Sequence, residues 1–430
     1  MSEPAAAPDG RTDYYANAHR RTYALFVFML VYMCHALDRR MPSILVEPVQ
    51  QEFHLTDTQM GLFGGAGYGI AFSLAVLPLG YLVDRVNRRN LLALMTAIWS
   101  GATALGGMVG TYFQLILTRF GVGAAEAGGV PISMSFLSDV YTQERRALVI
   151  GFLYTAANVG QFAAMIAGAW VAAEHGWRAA MVVAGLPGLV CVLLLLFTVR
   201  EPQRGAAEPS GEAAAAPPKP REVLRFILGA PELLSIIVAH ALFGLVSISV
   251  TAWFASFFIR ISHVDLAAAG GLIGISAAIG GGLAPLLYGW LDNRLGRRNP
   301  AWPLRLVWLS AVIALVASEA MLFTPSLALA VFLFGFTELL RNGYPAITYA
   351  TMTRNTPAHM RGSVISVMQL ITNLSGYGLG PLFVGVVSDY YGGGTAIREA
   401  LAVSLLLYIP ATLCTLYTSH KLYGRAAKTT

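Results

Sequence analysis

Apolar residues fall in long unbroken runs along this chain, parted by short polar breaks, and not in the one-sided stripe of a helix resting on a soluble core. Twelve such runs stand out, at 22–46, 59–83, 90–110, 112–138, 146–172, 178–199, 231–259, 268–291, 303–323, 327–352, 362–388 and 398–418. Each supplies the roughly 20 apolar residues that cross the hydrocarbon of a bilayer. A segment in lipid must satisfy its own main-chain donors and acceptors, so runs of this length predict helices. The expected fold class is all-α and integral to the membrane, with twelve transmembrane helices.

One break is far longer than the rest. Arg200 to Glu222 is rich in Pro, Ala, Gly and Glu and holds too few apolar residues to pack a core, which predicts a flexible linker. It falls after the sixth run, so the expected organisation is a disordered tail at 1–20, a six-helix bundle at 21–199, the linker at 200–225, a second six-helix bundle at 226–420 and a tail at 421–430. The halves echo one another as pseudo-repeats. Gly80, Leu82, Arg85, Arg88 and Arg89 follow the second run, and Gly289, Leu291, Arg294, Arg297 and Arg298 follow the eighth at the same offsets. Arg146 opens the fifth run as Arg361 opens the eleventh. Duplication of a six-helix unit is a mark of secondary transporters, whose site lies near mid-membrane between the repeats.

Composition agrees with a lipid-facing surface: 56% of residues are hydrophobic and 12% charged, about half the charge of a soluble domain. The net charge of +6 is distributed by side and gives no nucleic-acid patch. Arg and Lys crowd the tails, the linker and the even-numbered breaks, whereas the opposite side holds Arg178, Arg260 and Arg398. The positive-inside rule then puts both termini in the cytoplasm, and the short loops suit a plasma membrane of the bacterial inner-membrane kind. Cys34, Cys191 and Cys414 lie in separate runs without metal-ligand spacing. No nucleotide loop and no nucleophile–base cluster is legible, so neither metal, cofactor nor enzymatic chemistry is expected.

The stretch Gly80 to Arg89 resembles the loop motif G-x-L-a-D-R-x-G-R-K of the major facilitator superfamily, with Asn87 where that family usually has Gly. Arg119 to Gly123 is similar to the family's R-x-x-x-G element in the fourth helix. Within the superfamily the chain resembles the Spinster-like branch, on Asp38-Arg39, the run Gly121 to Ala127 around Glu126, Pro131 to Asp139, Gly176-Trp177-Arg178 and Gly185 to Gly188. His35 stands where that pattern has Asn, and the fifth-helix motif of drug/proton antiporters is missing between Asn158 and Gly168. The resemblance implies the major facilitator fold, and movement of lysophospholipids or sphingosine-1-phosphate-like lipids, in some members with protons. It also implies a conformational latch of Gly80, Asp84, Arg85, Arg88 and Arg89 with Asp139 and the eleventh helix, holding the outward-facing state.

A charge at mid-bilayer costs roughly 2.5–3.5 kcal/mol on insertion scales, so ionisable residues inside a run must face a cavity or a partner. The candidates are Asp38, Arg39, Arg119, Glu126, Glu338 and Arg341, with His35, His240 and Glu319 behind them. Arg119 and Glu126 lie two helical turns apart on one face. Asp38 is expected to pair with Arg119, forming with Glu126 either a proton-coupling site or a static buried network. Glu126, Arg119, Arg39, Arg341, Glu338 and His35 are the expected substrate contacts. Glu338 and Arg341 have the spacing of an intrahelical pair. Alternatively, the offset of 215 between Arg146 and Arg361 sets Arg341 opposite Glu126.

These readings converge on a monomeric alternating-access carrier of a small amphipathic or anionic solute, coupled to protons. A carrier of a soluble organic anion or drug is the alternative, and a membrane-embedded lipid enzyme is a more distant one.

Overall fold

The computed structural model describes residues 14–205 and 218–423. Every regular element among them is helical, and all twelve apolar runs are recovered as spans. The first is Ala18–Ile44, the second Asp57–Val83 and the third Arg88–Gly106. The fourth comes in two pieces, Tyr112–Glu126 and Gly129–Val140. The fifth and sixth run through Gln143–Thr198 and are divided at Gly176, whose φ of 83° only glycine adopts at little cost. The second half repeats the plan with Pro231–Ser262, Leu266–Gly296 and Trp302–Phe323. Its tenth span is again broken, into Leu327–Arg341 and Tyr344–Arg354. The eleventh is Arg361–Tyr390 and the twelfth Gly394–Tyr423.

Among the described residues seven helices are long and apolar enough to cross a membrane, the joined fifth and sixth counting as one. The first, third, fourth and tenth spans fall short of that standard. The first carries Asp38, Arg39 and Arg40, and the fourth and tenth are interrupted. Charge and irregular main chain are tolerated at membrane depth where they face protein or a cavity.

Helices reach into the segments that the sequence assigns to the linker and the tails. Residues 1–13 of the expected tail lie outside the described residues, and the first span already starts at Ala18, capped by the Asn17 side chain. Residues 206–217 of the linker also lie outside them. Its end, expected to be flexible as far as 225, is the helix Pro220–Gly229, with Val223 and Ile227 buried and Leu224 and Leu228 exposed. Proline in a first turn costs no hydrogen bond, so a Pro-rich stretch can open a helix. The last span reaches Tyr423, and 424–430 lie outside the described residues.

The halves meet along the second and eleventh spans, each loosened by a π-helical turn, Leu62–Ala66 and Leu374–Leu379. Contact there is between main chains: a Cβ on Gly69 would lie 2.5 Å from Gly378 Cα. Glycine at such a crossing lets two helices close together in lipid, where packing replaces the hydrophobic drive. The buried apolar residues form two cores. One, around Phe28, Trp99 and Phe136, belongs to the first half alone. The other joins Trp253 and Phe334 of the second half to Phe63, Met165 and Trp177 of the first. The first-half members of this shared core, Ile44, Val46, Val49, Met60 and Trp177 among them, lie toward the end opposite the termini, so the halves are packed together at that end.

Candidate functional site

Glu126 ends the first piece of the fourth span and is fully buried. One of its oxygens, Oε2, accepts from Tyr68 Oη at 2.8 Å and from Arg39 Nε at 3.2 Å, and lies 3.4 Å from His35 Nε2. His35 and Arg39, one turn apart on the first span, are themselves 3.3 Å apart. The Arg39 guanidinium sits over Tyr68 and over Tyr377 of the second half, 5.2 and 5.0 Å from the ring centres. First, second, fourth and eleventh spans therefore converge on one carboxylate. Cation–π contacts of this kind strengthen when water is excluded.

Asp38 and Arg119 are also buried, at 0% and 1% exposure. The ion pair expected between them is not formed. Asp38 Oδ2 accepts from Ser100 Oγ at 3.2 Å, while Arg119 lies against the Tyr68 ring at 5.6 Å. The reason is geometric: about 100° separates neighbouring residues round a helix, so Asp38 faces Ser100 of the third span while Arg39 is the residue that reaches the fourth span, at Glu126. Asp38 Oδ1, Glu126 Oε1, and Arg119 Nε and Nη1 find no protein partner among the described residues. Charged atoms left this way in a low-dielectric interior are costly, and such a group is ready for a proton, a counter-ion or a new arrangement of the helices.

In the second half Glu338 and Arg341 form an intrahelical ion pair, both buried. The alternative, Arg341 facing Glu126, is overturned: Arg341 is taken by its own helix and Glu126 by the first span. The offset of 215 is nevertheless structural, because the fourth span breaks after Glu126 and the tenth after Arg341. His240 bonds Thr348 at 2.7 Å between the rings of Tyr344 and Tyr349. Glu319 is half-buried on the ninth span.

Between the halves lies a cavity of about 230 Å³. The first half lines it with Arg40, Asn158 and Gln161, the second with Glu338, Asn342 and Tyr377, and Phe162, Met165, Ile273 and Pro285 supply an apolar wall. Arg40 Nε donates to Gln161 Oε1 at 2.8 Å. Of these, Arg40, Gln161, Asn342 and Tyr377, like Tyr68 in the cluster, went unassigned in the sequence. Their one signal is a polar group within an apolar run, which tyrosine and amide side chains share with ordinary packing positions.

The end of the cavity away from the termini is closed by polar contacts across the halves. Arg260 of the seventh span holds Glu47 at 2.8 Å, Asp57 at 3.0 Å and the Gly394 carbonyl at 3.2 Å. Asp389 of the eleventh span accepts from the main-chain N–H groups of Asp57 (3.0 Å) and Thr58 (2.8 Å), where the second span begins. A helix N-terminus favours an anion placed there. At the end carrying the termini, the ion pairs among the described residues stay inside one half. Arg88 holds Asp139 at 2.5 Å and Glu201 at 2.7 Å, and Arg354 holds Asp292 at 2.7 Å. Arg89 bonds the Val199 carbonyl, Arg85 lies over Tyr81, and Gly80 has open space beside it. Asp84 is exposed, with no ion pair among the described residues. Of the expected latch residues Arg88 holds Asp139, and among the described residues none of them makes a polar contact with the eleventh span, in a molecule closed at the opposite end.

Two six-helix halves about a charged cavity, closed at one end, are the architecture of a membrane transporter. The Major Facilitator Superfamily model matches residues 28–381, and the chain belongs to that family. It is 29% identical over 414 residues to an MFS-type efflux pump of Mycolicibacterium smegmatis, covering 96% of this chain and 94% of that protein. It is 32% identical over 193 residues to Protein spinster homolog 1 of Xenopus tropicalis, covering 44% of this chain and 36% of that one. Its fold matches the crystal structure of a bacterial homolog of the human lysosomal transporter Spinster in an inward-facing, unoccupied conformation. The TM-score is 0.85 at 24% identity, over 94% of this chain and 98% of that one.

Proposed function

We propose that the protein is a proton-coupled carrier of an amphipathic lipid, of the lysophospholipid or sphingosine-1-phosphate-like class, working by alternating access. The observation that carries the reading is Glu126. It is a fully buried carboxylate gripped through one oxygen by Tyr68, Arg39 and His35, with its other oxygen unpartnered. Protonation removes the charge that holds Arg39, and Arg39 touches Tyr377 of the other half. The proton is thereby linked to the fit between the halves, because it changes the relative stability of two packings. Asp38, within the electrostatic reach of both Glu126 and Arg119, is the second acid of the relay. The Spinster likeness supports the lipid class, and the cavity, polar at one wall and apolar at another, is of a kind that accepts a headgroup and a chain.

In this reading both termini face the cytoplasm of a bacterial cell and the described state is open inward. The residues around Asp139 form the latch of the opposite state. The likeness to an efflux pump along almost the whole chain supports a second reading, in which the solute is a soluble organic anion or drug.

Uptake of a labelled lysophospholipid into proteoliposomes, with and without a pH gradient, tests the first reading. Gradient-dependent uptake is expected in wild type and at least about 100-fold less in Glu126→Gln, the order of effect for a lost proton-transfer group. A correctly inserted protein that carries a drug or soluble anion but no lysolipid would establish the second.

A further inference from the structure

Four arginines lie in the interior of the spans. Arg39 is paired with Glu126 and Arg341 with Glu338. Arg119 lies within the electrostatic reach of Glu126 and Asp38. Arg40 differs from all three. Its side chain donates to a neutral amide, Gln161 Oε1, and among the described residues no carboxylate comes within ion-pair distance of it. It is half-buried and lines the cavity.

We propose that Arg40, oriented by Gln161, is the anion-recognition residue of the central cavity, and that the solute presents it with a phosphate or carboxylate. The proposal rests on the transport reading above and specifies the charged group that the cavity takes.

Three features support it. Gln161 is itself bonded to Asn158 at 3.4 Å, so Asn158, Gln161 and Arg40 form a chain across the fifth and first spans that fixes the plane of the guanidinium. With Nε occupied, the paired terminal nitrogens remain, and these grip phosphate and carboxylate in a two-point geometry. The acid that shares the cavity, Glu338, is neutralised by Arg341, and Arg341 in turn feels the positive charge of Arg40. The excess charge of the cavity is positive, which favours an anion and disfavours a quaternary ammonium group alone. A purely structural Arg40, tying the first span to the fifth, would need only the Gln161 bond and would be indifferent to the solute's charge.

Binding of four probes to the purified protein in lipid nanodiscs decides the matter. The probes are dodecyl phosphate, laurate, dodecyltrimethylammonium and the chainless butyl phosphate. Wild type is expected to prefer the two dodecyl anions. Arg40→Gln should weaken them by at least about tenfold, the worth of a charged hydrogen bond, and should not weaken the cationic probe. Arg40→Lys should keep part of the affinity, and Gln161→Ala, which leaves the charge in place, should lose part of it. Thermal unfolding of each variant without probe reports folding, and the last two carry the test if Arg40→Gln unfolds.

Equal anion affinity in folded Arg40→Gln and wild type overturns the assignment. If dodecyl probes bind whatever their headgroup and whatever stands at 40, the lipid reading stands and the Arg40 assignment falls. If butyl phosphate binds as tightly as dodecyl phosphate and both need Arg40, the assignment stands and the lipid reading falls.

Discussion

Glu338 and Arg341 show what a single buried pair requires of a lipid-embedded helix. Both side chains are enclosed, and each is the other's neutralising partner. Removing one leaves the other charged and alone, which costs roughly 3–5 kcal/mol in buried pairs, whereas an apolar pair of similar size is often neutral or stabilising. Glu338→Leu and Arg341→Met should therefore each lower the thermal unfolding midpoint in detergent, and the double variant should recover most of the loss. Equal midpoints for all four proteins would mean that the pair is solvated. At this scale the sequence picked out residues that the structure buries, and it mispaired Asp38. Five of the six interior charges assigned from the apolar runs, all but Arg119, make a close polar contact with a neighbour, but Asp38 meets Ser100 and not Arg119. Spacing along one helix gives faces, whereas a partner on another helix depends on axial offset and rotation, which one sequence does not contain. Arg40 was passed over for that reason: nothing in its own run distinguishes it from Arg39.

Among the elements, the short helix Val46–Phe53 carries a side-chain contact of its own. Glu52, at its end outside the spans, accepts from Trp177 Nε1 at 2.6 Å and pairs with Arg178 at the start of the sixth span. Those donors favour the ionised form, the Trp177 hydrogen bond most, and hold the carboxyl below its ordinary value, which is about 4.3. A depressed value stabilises the fold at pH above the unfolded value, and the contribution is lost as pH falls through the folded one. Unfolding midpoints should therefore drop below about pH 4.3 more steeply in wild type than in Glu52→Gln. The effect should be small, because the group is exposed and screened. Parallel curves would remove Glu52 from the account. Span limits were legible because lipid allows almost no alternative to a helix. The breaks in the fourth and tenth spans and the π turns were not, since a glycine-rich run reads alike whether it packs, bends or shifts register.

At the scale of the whole molecule, the end away from the termini is clasped by Arg260 and Asp389, neither of which was assigned a role from sequence. Read one at a time, they are a loop arginine and a carboxylate at a helix end, and only the fold brings them to Glu47 and Asp57. Amide hydrogen exchange at Asp57 and Thr58 should be slow while Asp389 accepts from them. Arg260→Ala should raise it by at least about tenfold if loss of the clasp costs the order of a charged hydrogen bond. Unchanged exchange would place the closing energy in the shared apolar core instead. The duplication, the linker and the side-to-side charge bias made the two-half plan legible, because each is a property of long stretches. Matching breaks in the fourth and tenth spans carry opposite charges, Glu126 in one copy and Arg341 in the other. A perfect repeat would present a bound solute with two equivalent poses related by the axis between the halves. With the sign reversed at the same place in each copy, the two halves are not electrostatically equivalent, so on the proposed reading a solute with a charged end would have one preferred pose and not two.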